Sequence, residues 1–299
     1  MLFAEKTPVQ KRADLAKALQ SGKLLRIPGA MNPLTAMMIE RKGFDGVYIS
    51  GAVLSADLGL PDIGLTTLSE VAGRGHQIAR VTELPAIIDA DTGFGEPMNA
   101  ARTIQTFDEM GLAGCHLEDQ ENPKRCGHLD NKNVVPVADM VKKVQAAATA
   151  KRDKNFLLIA RTDSRAPEGL DKMLDRAKAY VDAGADMIFP EALQDEKEFE
   201  AVRKAVKAPL LANMTEFGKS KLLTAKQLEN MGFNVVIYPV TTLRLAMGAI
   251  DRGPDVIKSE GTQESLLGVM QHRKDLYDLI RYEDYNQFDR NVFNFKLKD

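Results

Sequence analysis

Long apolar runs, an excess of charge of either sign and a cysteine framework are all missing from this 299-residue chain. No stretch approaches the roughly 18 consecutive apolar residues of a membrane span, and the opening "MLFAEKTPVQKRADL" lacks the apolar core of a secretory signal. A cytoplasmic location is therefore expected. The formal charge is −2 with both signs interspersed, which leaves no electrostatic footprint for nucleic acid or an anionic membrane. Two cysteines, Cys115 and Cys126, make no disulfide framework, and reduced thiols are the default in that compartment. The expected partners are small molecules or further copies of the chain.

What is present is an ordinary globular composition, 44% hydrophobic and 27% charged, with enough apolar content for a large core. Length alone permits two domains, and a single α/β barrel of roughly 250 residues with end extensions fits equally well. The apolar runs decide between them. They read "LLRIPGA" from Leu24, "GVYISG" from Gly46, "PAIIDADTG" from Pro85, "GCHLED" from Gly114, "FLLIARTD" from Phe156, "MIFPEA" from Met187, "PLLANMT" from Pro209 and "VVIYPV" from Val235. Most are too continuously apolar for half-exposed strands, and the stretches between them carry helix signals, which predicts a parallel sheet covered by helices. "TLSE" from Thr67 and "TAKQ" from Thr224 are capping boxes, Pro97 and Pro136 suit a first helical turn, and Gly111 and Gly232 suit helix stops. Eight such units predict a (β/α)8 TIM barrel as one domain over 1–299, with an N-terminal helix and a C-terminal helical extension over 254–299. An open doubly wound sheet is the rival, ranked lower because eight regular units close naturally.

Polar residues gather where these runs end: Ser50, Asp89, Asp91, Glu118, Arg161, Asp163, Glu191, Asn213 and Thr215. Loops are polar anyway, which accounts for one or two. Carboxylates at consecutive strand ends repel and need a counter-ion, so one shared site at the barrel's C-terminal face is expected. In "DADTG", Asp89 and Asp91 are two apart on a strand and point the same way. Glu118, ending the next strand, adds a third carboxylate. Hard oxygen ligands describe Mg²⁺ or Mn²⁺ rather than zinc, although paired surface acids are as often merely solvated. "TGFGE" is too short a match to read as a phosphate loop.

The connection from Asp119 to Val135 is long for a βα unit and rich in charge, Asn and Gly, as active-site lids are. Cys126 rides on it. Lys124, Arg125 and His128 favour its thiolate and bring its pKa towards working pH, where a thiol can both hold and donate a proton. Cys115, inside "GCHL", reads as a small core residue, and His116 and His76 read as structural.

"KRCGH", preceded by "HLEDQ" and "DADTGFG" and accompanied in order by "YISG", "LPDIG", "ARTD", "FPEA", "NMTEFG" and "YPVTTLRLAMGA", resembles the isocitrate lyase and phosphoenolpyruvate mutase superfamily over nearly the whole chain. Within it the pattern is most similar to the 2-methylisocitrate lyases of the methylcitrate cycle, in propionate catabolism; isocitrate lyases share the core and carry inserted segments. The resemblance implies cleavage of (2S,3R)-2-methylisocitrate to pyruvate and succinate. It implies Mg²⁺ at Asp89 and Asp91, with Glu118 acting through bound water and Asp62 supporting, and Cys126 protonating the succinate carbon while Lys124 and His128 flank it. Tyr48, a bound water or a carboxylate would take the hydroxyl proton. Ser50, Gly51, Ala52 and Gly127 match substrate-binding backbone positions. Arg161, Glu191, Asn213, Thr215, Arg244 and Arg273 match the positions that hold the tricarboxylate. Ala52 departs from the pattern, which has glycine there. Phe189 and Pro239 match the residues that shape the methyl pocket, the former replacing a tryptophan of isocitrate lyases, and this chain has no Trp.

From Tyr277 to Phe295 the tail holds six of the 18 aromatic residues, too many for a solvated tail. They either pack on the barrel or dock on another subunit, and the resemblance implies a C-terminal helix exchanged between protomers in a tetramer of paired dimers. Two rival functions remain: an isocitrate lyase or other member acting on phosphoenolpyruvate- or oxaloacetate-like substrates, and a non-catalytic metabolite-binding barrel.

Overall fold

The eight apolar runs are eight parallel strands in the computed structural model, which describes residues 4–125, 127–128 and 132–294. They are β1 (Leu25–Pro28), β2 (Val47–Ile49), β3 (Ala86–Asp89), β4 (Gly114–Glu118), β5 (Leu157–Thr162), β6 (Met187–Pro190), β7 (Leu211–Asn213) and β8 (Val235–Tyr238). Ladders run in the orders β2-β3-β4-β5-β6 and β1-β8-β7. Single parallel bridges, Gly29 to Tyr48 and Ile188 to Leu210, join the two sets. The sheet closes in sequence order as the expected barrel, and the open sheet is excluded.

Strand alternation sorts the core into two layers. Leu25, Ile27, Tyr48, Ile87, Leu157, Ile159, Met187, Phe189, Leu211, Val235 and Ile237 fill the barrel interior. Their strand neighbours, such as Val47, Ile49, Ile88, Leu158, Ile188 and Val236, face the helices. On β4 the outward set is Cys115 and Leu117, so Gly114, His116 and Glu118 face inward. The expectation for Cys115 holds. Gly114 has no room for a side chain, because a Cβ would lie 2.5 Å from Leu157 O.

The helices of the described residues are α1 (Pro8–Leu19), α2 (Pro33–Arg41), α3 (Gly51–Asp57), α4 (Leu68–Ala79), α5 (Pro97–Glu109), α6 (Val137–Ala150), α7 (Arg165–Glu168), α8 (Leu170–Asp182), α9 (Glu196–Ala205), α10 (Ala225–Asn230), α11 (Thr241–Glu260), α12 (Arg273–Leu279) and α13 (Tyr282–Phe293). Both capping boxes form, at Thr67 with Glu70 and at Thr224 with Gln227. Pro97 opens α5, whereas Pro136 is one residue earlier than expected and caps α6. Gly111 and Gly232 follow helix ends at φ 82° and 79°, the left-handed turn that glycine tolerates.

α1 plugs the N-terminal end of the barrel: Leu15 joins the interior core, and Arg12 donates to Leu112 O at 2.9 Å and Asp108 O at 2.7 Å. Towards the other end of the chain, α11 continues past residue 254 with Pro254 inside it and buries no residue. Leu245, Met247, Ile250, Ile257, Tyr282, Phe288 and Phe293 stand exposed on this C-terminal part. The tail aromatics that are described therefore do not pack into the barrel. No helix among the described residues is long and apolar enough to cross a membrane.

Candidate active site

Inward alternation brings Tyr48, Asp89, His116, Glu118, Arg161, Phe189 and Asn213 to the C-terminal half of the barrel interior. Asp89 ends β3, but Asp91 lies beyond the strand in a left-handed turn at φ 47°. The two acids converge by that turn and not by strand alternation, which corrects the sequence argument while keeping its outcome. Asp and Asn are the residues that best tolerate such a turn outside glycine. Asp91 N–H donates to Asp89 Oδ1 at 2.9 Å, and Gly51 N–H reaches Asp89 Oδ2 at 3.2 Å. A Cβ on Gly51 would fall 2.9 Å from Asp89 Oδ2 and 3.2 Å from Asp91 Oδ1. Gly51, Asp89 and Asp91 thus form a cradle that only glycine leaves open.

Lys124, nearly fully buried, sits on this cradle with Nζ 2.7 Å from Asp91 Oδ1 and also donates to Asp62. Burial and the neighbouring Asp89 charge push the Asp91 carboxyl up to about 6 against the pull of Lys124. Burial also pushes Asp89 up, but the charges of Lys124 and Arg161 and the Asp91 N–H outweigh it and hold the group below its ordinary value. Glu118 fares differently. Burial raises it well above the ordinary carboxylate range despite Arg161 and Lys124, and neither oxygen accepts a hydrogen bond; its nearest cation is Arg161 Nε at 3.3 Å.

Arg161 is the hub of the opposite side. Its Nε and Nη2 bind Asp163 at 2.9 and 3.1 Å, Nη2 lies 3.2 Å from Glu191 Oε2, and the guanidinium stacks 5.1 Å from the centroid of Phe189. Glu191 Oε1 accepts from Ala192 N–H at 2.9 Å and lies 3.0 Å from His128 Nε2. His128 Nδ1 accepts from Lys219 N–H at 3.0 Å, which assigns the ring proton to Nε2, facing Glu191. Burial pushes Glu191 up, yet Arg161 and His128 hold it well below its ordinary range. Asn213 Nδ2 lies 3.3 Å from Glu191 Oε2.

Tyr48 O–H and His116 Nε2 are 2.7 Å apart, their rings stack, and His116 meets Phe189 edge-on. Burial lowers His116 to about 4, so the ring is neutral, and burial with the Asp89 charge raises Tyr48. His116 was expected to be structural. In the structure its Nε2 lies 2.7 Å from the Tyr48 hydroxyl and 3.6 Å from Asp89 Oδ1. Its signal was available, since it precedes Glu118 by two residues on one strand and must share its face.

The long connection is pinned at its base by the bridge of Gln120 to Val134 and by Val135 N–H to Asp119 O at 2.9 Å. Cys126 lies outside the described residues. Gly127 lies directly on the hub: a Cβ there would be 2.3 Å from Arg161 Nη2 and 2.5 Å from Glu191 Cγ. Two residues the sequence did not single out complete the region. Lys132 Nζ donates to Asp163 Oδ1 at 2.9 Å and to Gly127 O. Asp119, facing the outer layer, accepts from Asp163 N–H, Thr162 Oγ1 and Tyr180 O–H, each at 2.8 Å.

The remaining expected residues are spread unevenly. Ser50 caps α3 and is buried, and Ala52 follows half-buried. Pro239 is buried after β8, its carbonyl pressed against Gly29. Thr215 follows β7, half-buried and without a described hydrogen bond. Arg244 Nε faces Glu216 Oε2 at 3.6 Å, and its guanidinium lies over Phe217; it is at the rim, apart from Arg161. Arg273 is not brought to this site. It opens α12, exposed, on a helix whose Leu279 end lines one cavity with Met37 and Glu40 of α2.

The donor set fits a divalent cation. Asp89 and Asp91 offer hard oxygens beside the Gly51 cradle, and the undonated oxygens of Glu118 await a charge or bound waters. Among the described residues no three His, Cys, Asp or Glu side chains form a ready-made metal cage.

The sequence pattern of the family described as phosphoenolpyruvate phosphomutase matches residues 15–257. A probable 2-methylisocitrate lyase of Corynebacterium glutamicum is 58% identical over 99% of this chain and 97% of its own length. The 2-methylisocitrate lyase of Bacillus subtilis is 45% identical over 95% and 93%. Among solved structures, oxaloacetate acetylhydrolase with the inhibitor 3,3-difluorooxalacetate superposes with a TM-score of 0.91 at 31% identity, covering 98% of this chain and 100% of that one. Phosphonopyruvate hydrolase, in complex with oxalate and Mg²⁺, gives 0.85 at 28% identity over 96% and 99%. With the acid cradle, the arginine hub and this match along nearly its full length, the chain belongs to the phosphoenolpyruvate mutase/isocitrate lyase superfamily.

Proposed function

We propose that the protein is a Mg²⁺-dependent carbon–carbon lyase that cleaves (2S,3R)-2-methylisocitrate to pyruvate and succinate. The observation that carries this reading is the juxtaposition of an undonated buried carboxyl, Glu118, with the Asp89–Asp91 cradle on one side and the Arg161 hub on the other. A bound Mg²⁺, or Mn²⁺ in its place, would supply positive charge to the 2-hydroxycarboxylate end of the substrate. Asp163 and Glu191 hold Arg161 through Nε and Nη2, and Nη1 would be the nitrogen that donates to a substrate carboxylate. Asn213 and His128 extend the same wall. Tyr48 stays protonated beside neutral His116, so it orients a substrate oxygen as a donor, and the hydroxyl proton passes to a carboxylate or a water. Loss of that proton turns the alcohol into a ketone, the carbon–carbon bond breaks, and its electron pair goes to the succinyl carbon. Cys126 gives that carbon its proton. Phe189, seated against His116 and Arg161, leaves room for the methyl group, a difference worth only about 1–3 kcal/mol.

The test is release of pyruvate and succinate from purified protein with Mg²⁺ and 2-methylisocitrate, beside isocitrate and an EDTA-treated sample. Metal-dependent turnover favouring the methylated substrate is expected; glyoxylate from isocitrate at equal efficiency would move the assignment to isocitrate cleavage. Cys126→Ser is expected to lower kcat by about 10³-fold, the size of a lost general acid. A decarboxylase or mutase would tolerate that change. We further propose a cytoplasmic homotetramer of paired dimers exchanging C-terminal helices, supported by the exposed apolar residues of α11 to α13 and checked by light scattering of the eluted protein.

A further inference from the structure

We propose that Lys132 is a positioning residue: its ammonium seats the backbone of residues 127–128 on the Arg161–Asp163–Glu191 cluster, and this seat sets the turnover rate. The inference rests on the lyase reading above.

Lys132 is an unusual cation for a polar connection. Its side chain is 1% exposed and that of its partner Asp163 is 0% exposed. Taking an ammonium out of water is costly unless acceptors replace the lost hydration. Here the acceptors are one carboxylate oxygen of Asp163 and the carbonyl of Gly127. The first belongs to the barrel and the second to the connection, so the ammonium is a cross-link between them. Asp163 is itself immobilised, with its N–H on Asp119 and its carboxylate on the Arg161 fork. The anchor on the barrel side is therefore rigid.

The seat is also tight. Gly127 touches Arg161, Glu191 and Asp163 so closely that a Cβ would meet all three within 2.9 Å. His128 continues the contact through Glu191 Oε1 at 3.0 Å and Lys219 N–H. Gly127 directly follows Cys126 in the sequence, and a misplacement of about 1 Å in a reacting group can cost about 10²-fold in rate. The ammonium thus bridges a barrel carboxylate and the carbonyl of the residue that follows Cys126 in the sequence, the link a placement role requires.

Lys132→Met removes the ammonium and keeps the apolar stem. Expected are a fall in kcat of about 10²-fold, with KM within about threefold, and faster trypsin cleavage after Arg125 in the protein without substrate. Gly127→Ala disturbs the same seat from the other side. The double variant Lys132→Met/Gly127→Ala is then expected within about threefold of Gly127→Ala alone, because both act through one contact. Multiplying losses in the double variant, or an unchanged cleavage rate after Arg125, would overturn the proposal. If Lys132→Met does not yield folded protein, Lys132→Gln serves with the same outcomes. The cleavage measurement needs no substrate. A native protein that fails to split 2-methylisocitrate while Lys132→Met still loosens the connection would sink the functional reading and leave the tether standing.

Discussion

Both ends of the barrel bury cations, and the company those cations keep is different. At the N-terminal end Lys11 Nζ donates to Ala79 O at 2.9 Å, and each guanidinium nitrogen of Arg12 finds an oxygen of Leu112, Asp108 or Asp153. At the C-terminal end Lys124, Lys132 and Arg161 share their space with Asp89, Asp91, Glu118, Asp163 and Glu191, all buried. There acids outnumber bases, and Glu118 keeps two oxygens without a donor. Buried polar groups are normally satisfied, so an end that is fully paired reads as structure and an end that is not reads as a place where a ligand supplies what is missing.

Matched substitutions at the two ends break the comparison most sharply. Arg12→Met leaves Asp108 and Asp153 facing a buried gap and is expected to cost about 3 kcal/mol of stability, read by urea unfolding, with kcat of the folded fraction unchanged. Glu118→Gln is expected to do the reverse. It removes a carboxyl that burial already disfavours as an anion, so unfolding shifts little or to higher urea while kcat/KM at saturating Mg²⁺ drops about 10- to 100-fold, the usual cost of losing an outer-shell metal partner. Should Glu118→Gln destabilise as much as Arg12→Met, the C-terminal end is as structural as the other.

The same contrast explains what the sequence made legible. All eight strands and the shared face could be read because continuous apolar runs ending in Asp, Glu or Arg are local signals. The inward set could be read as far as alternation reaches, which includes His116 through its spacing from Glu118. Lys132 and Asp119 could not. Lys132 lies in a polar loop, and its burial comes from a partner 31 positions away. Asp119 is next to Glu118 but on the opposite face, where its worth depends on Tyr180 and Arg176 of α8. Arg244 and Arg273 matched a pattern by order along the chain, which carries no information about how far a helix stands from the barrel mouth.

Within the C-terminal end, pH offers a finer cut. The Asp91 carboxyl lies at about 6 against an ordinary 3.8, so the folded state holds its proton more tightly than the unfolded chain does. Ionising it costs stability above about pH 6, and the cost is relieved as pH falls towards 4. Roughly two units correspond to at most about 3 kcal/mol. In EDTA, Asp91→Asn is therefore expected to melt higher than the native protein at pH 8 and at the same temperature near pH 4. Added Mg²⁺ should raise the native midpoint and leave the variant nearly unmoved. A pH-independent advantage for the variant, or equal stabilisation of both by Mg²⁺, would place the repulsion elsewhere.

The smallest expected effect tests the cradle itself, through two adjacent residues. Gly51 cannot carry a methyl, since its Cβ would press on Asp89 Oδ2 and Asp91 Oδ1. Ala52, where the family pattern has glycine, is the next residue of α3, half-buried and not at positive φ. No positive φ at position 52 calls for glycine. Ala52→Gly should cost no more than about 1 kcal/mol of stability, the helix propensity of the exchange, and leave KM for 2-methylisocitrate within about twofold. Gly51→Ala in the same assay should weaken Mg²⁺ activation by at least about tenfold. If instead Ala52→Gly lowers KM strongly, the substrate approaches the backbone one residue later than the cradle geometry has it.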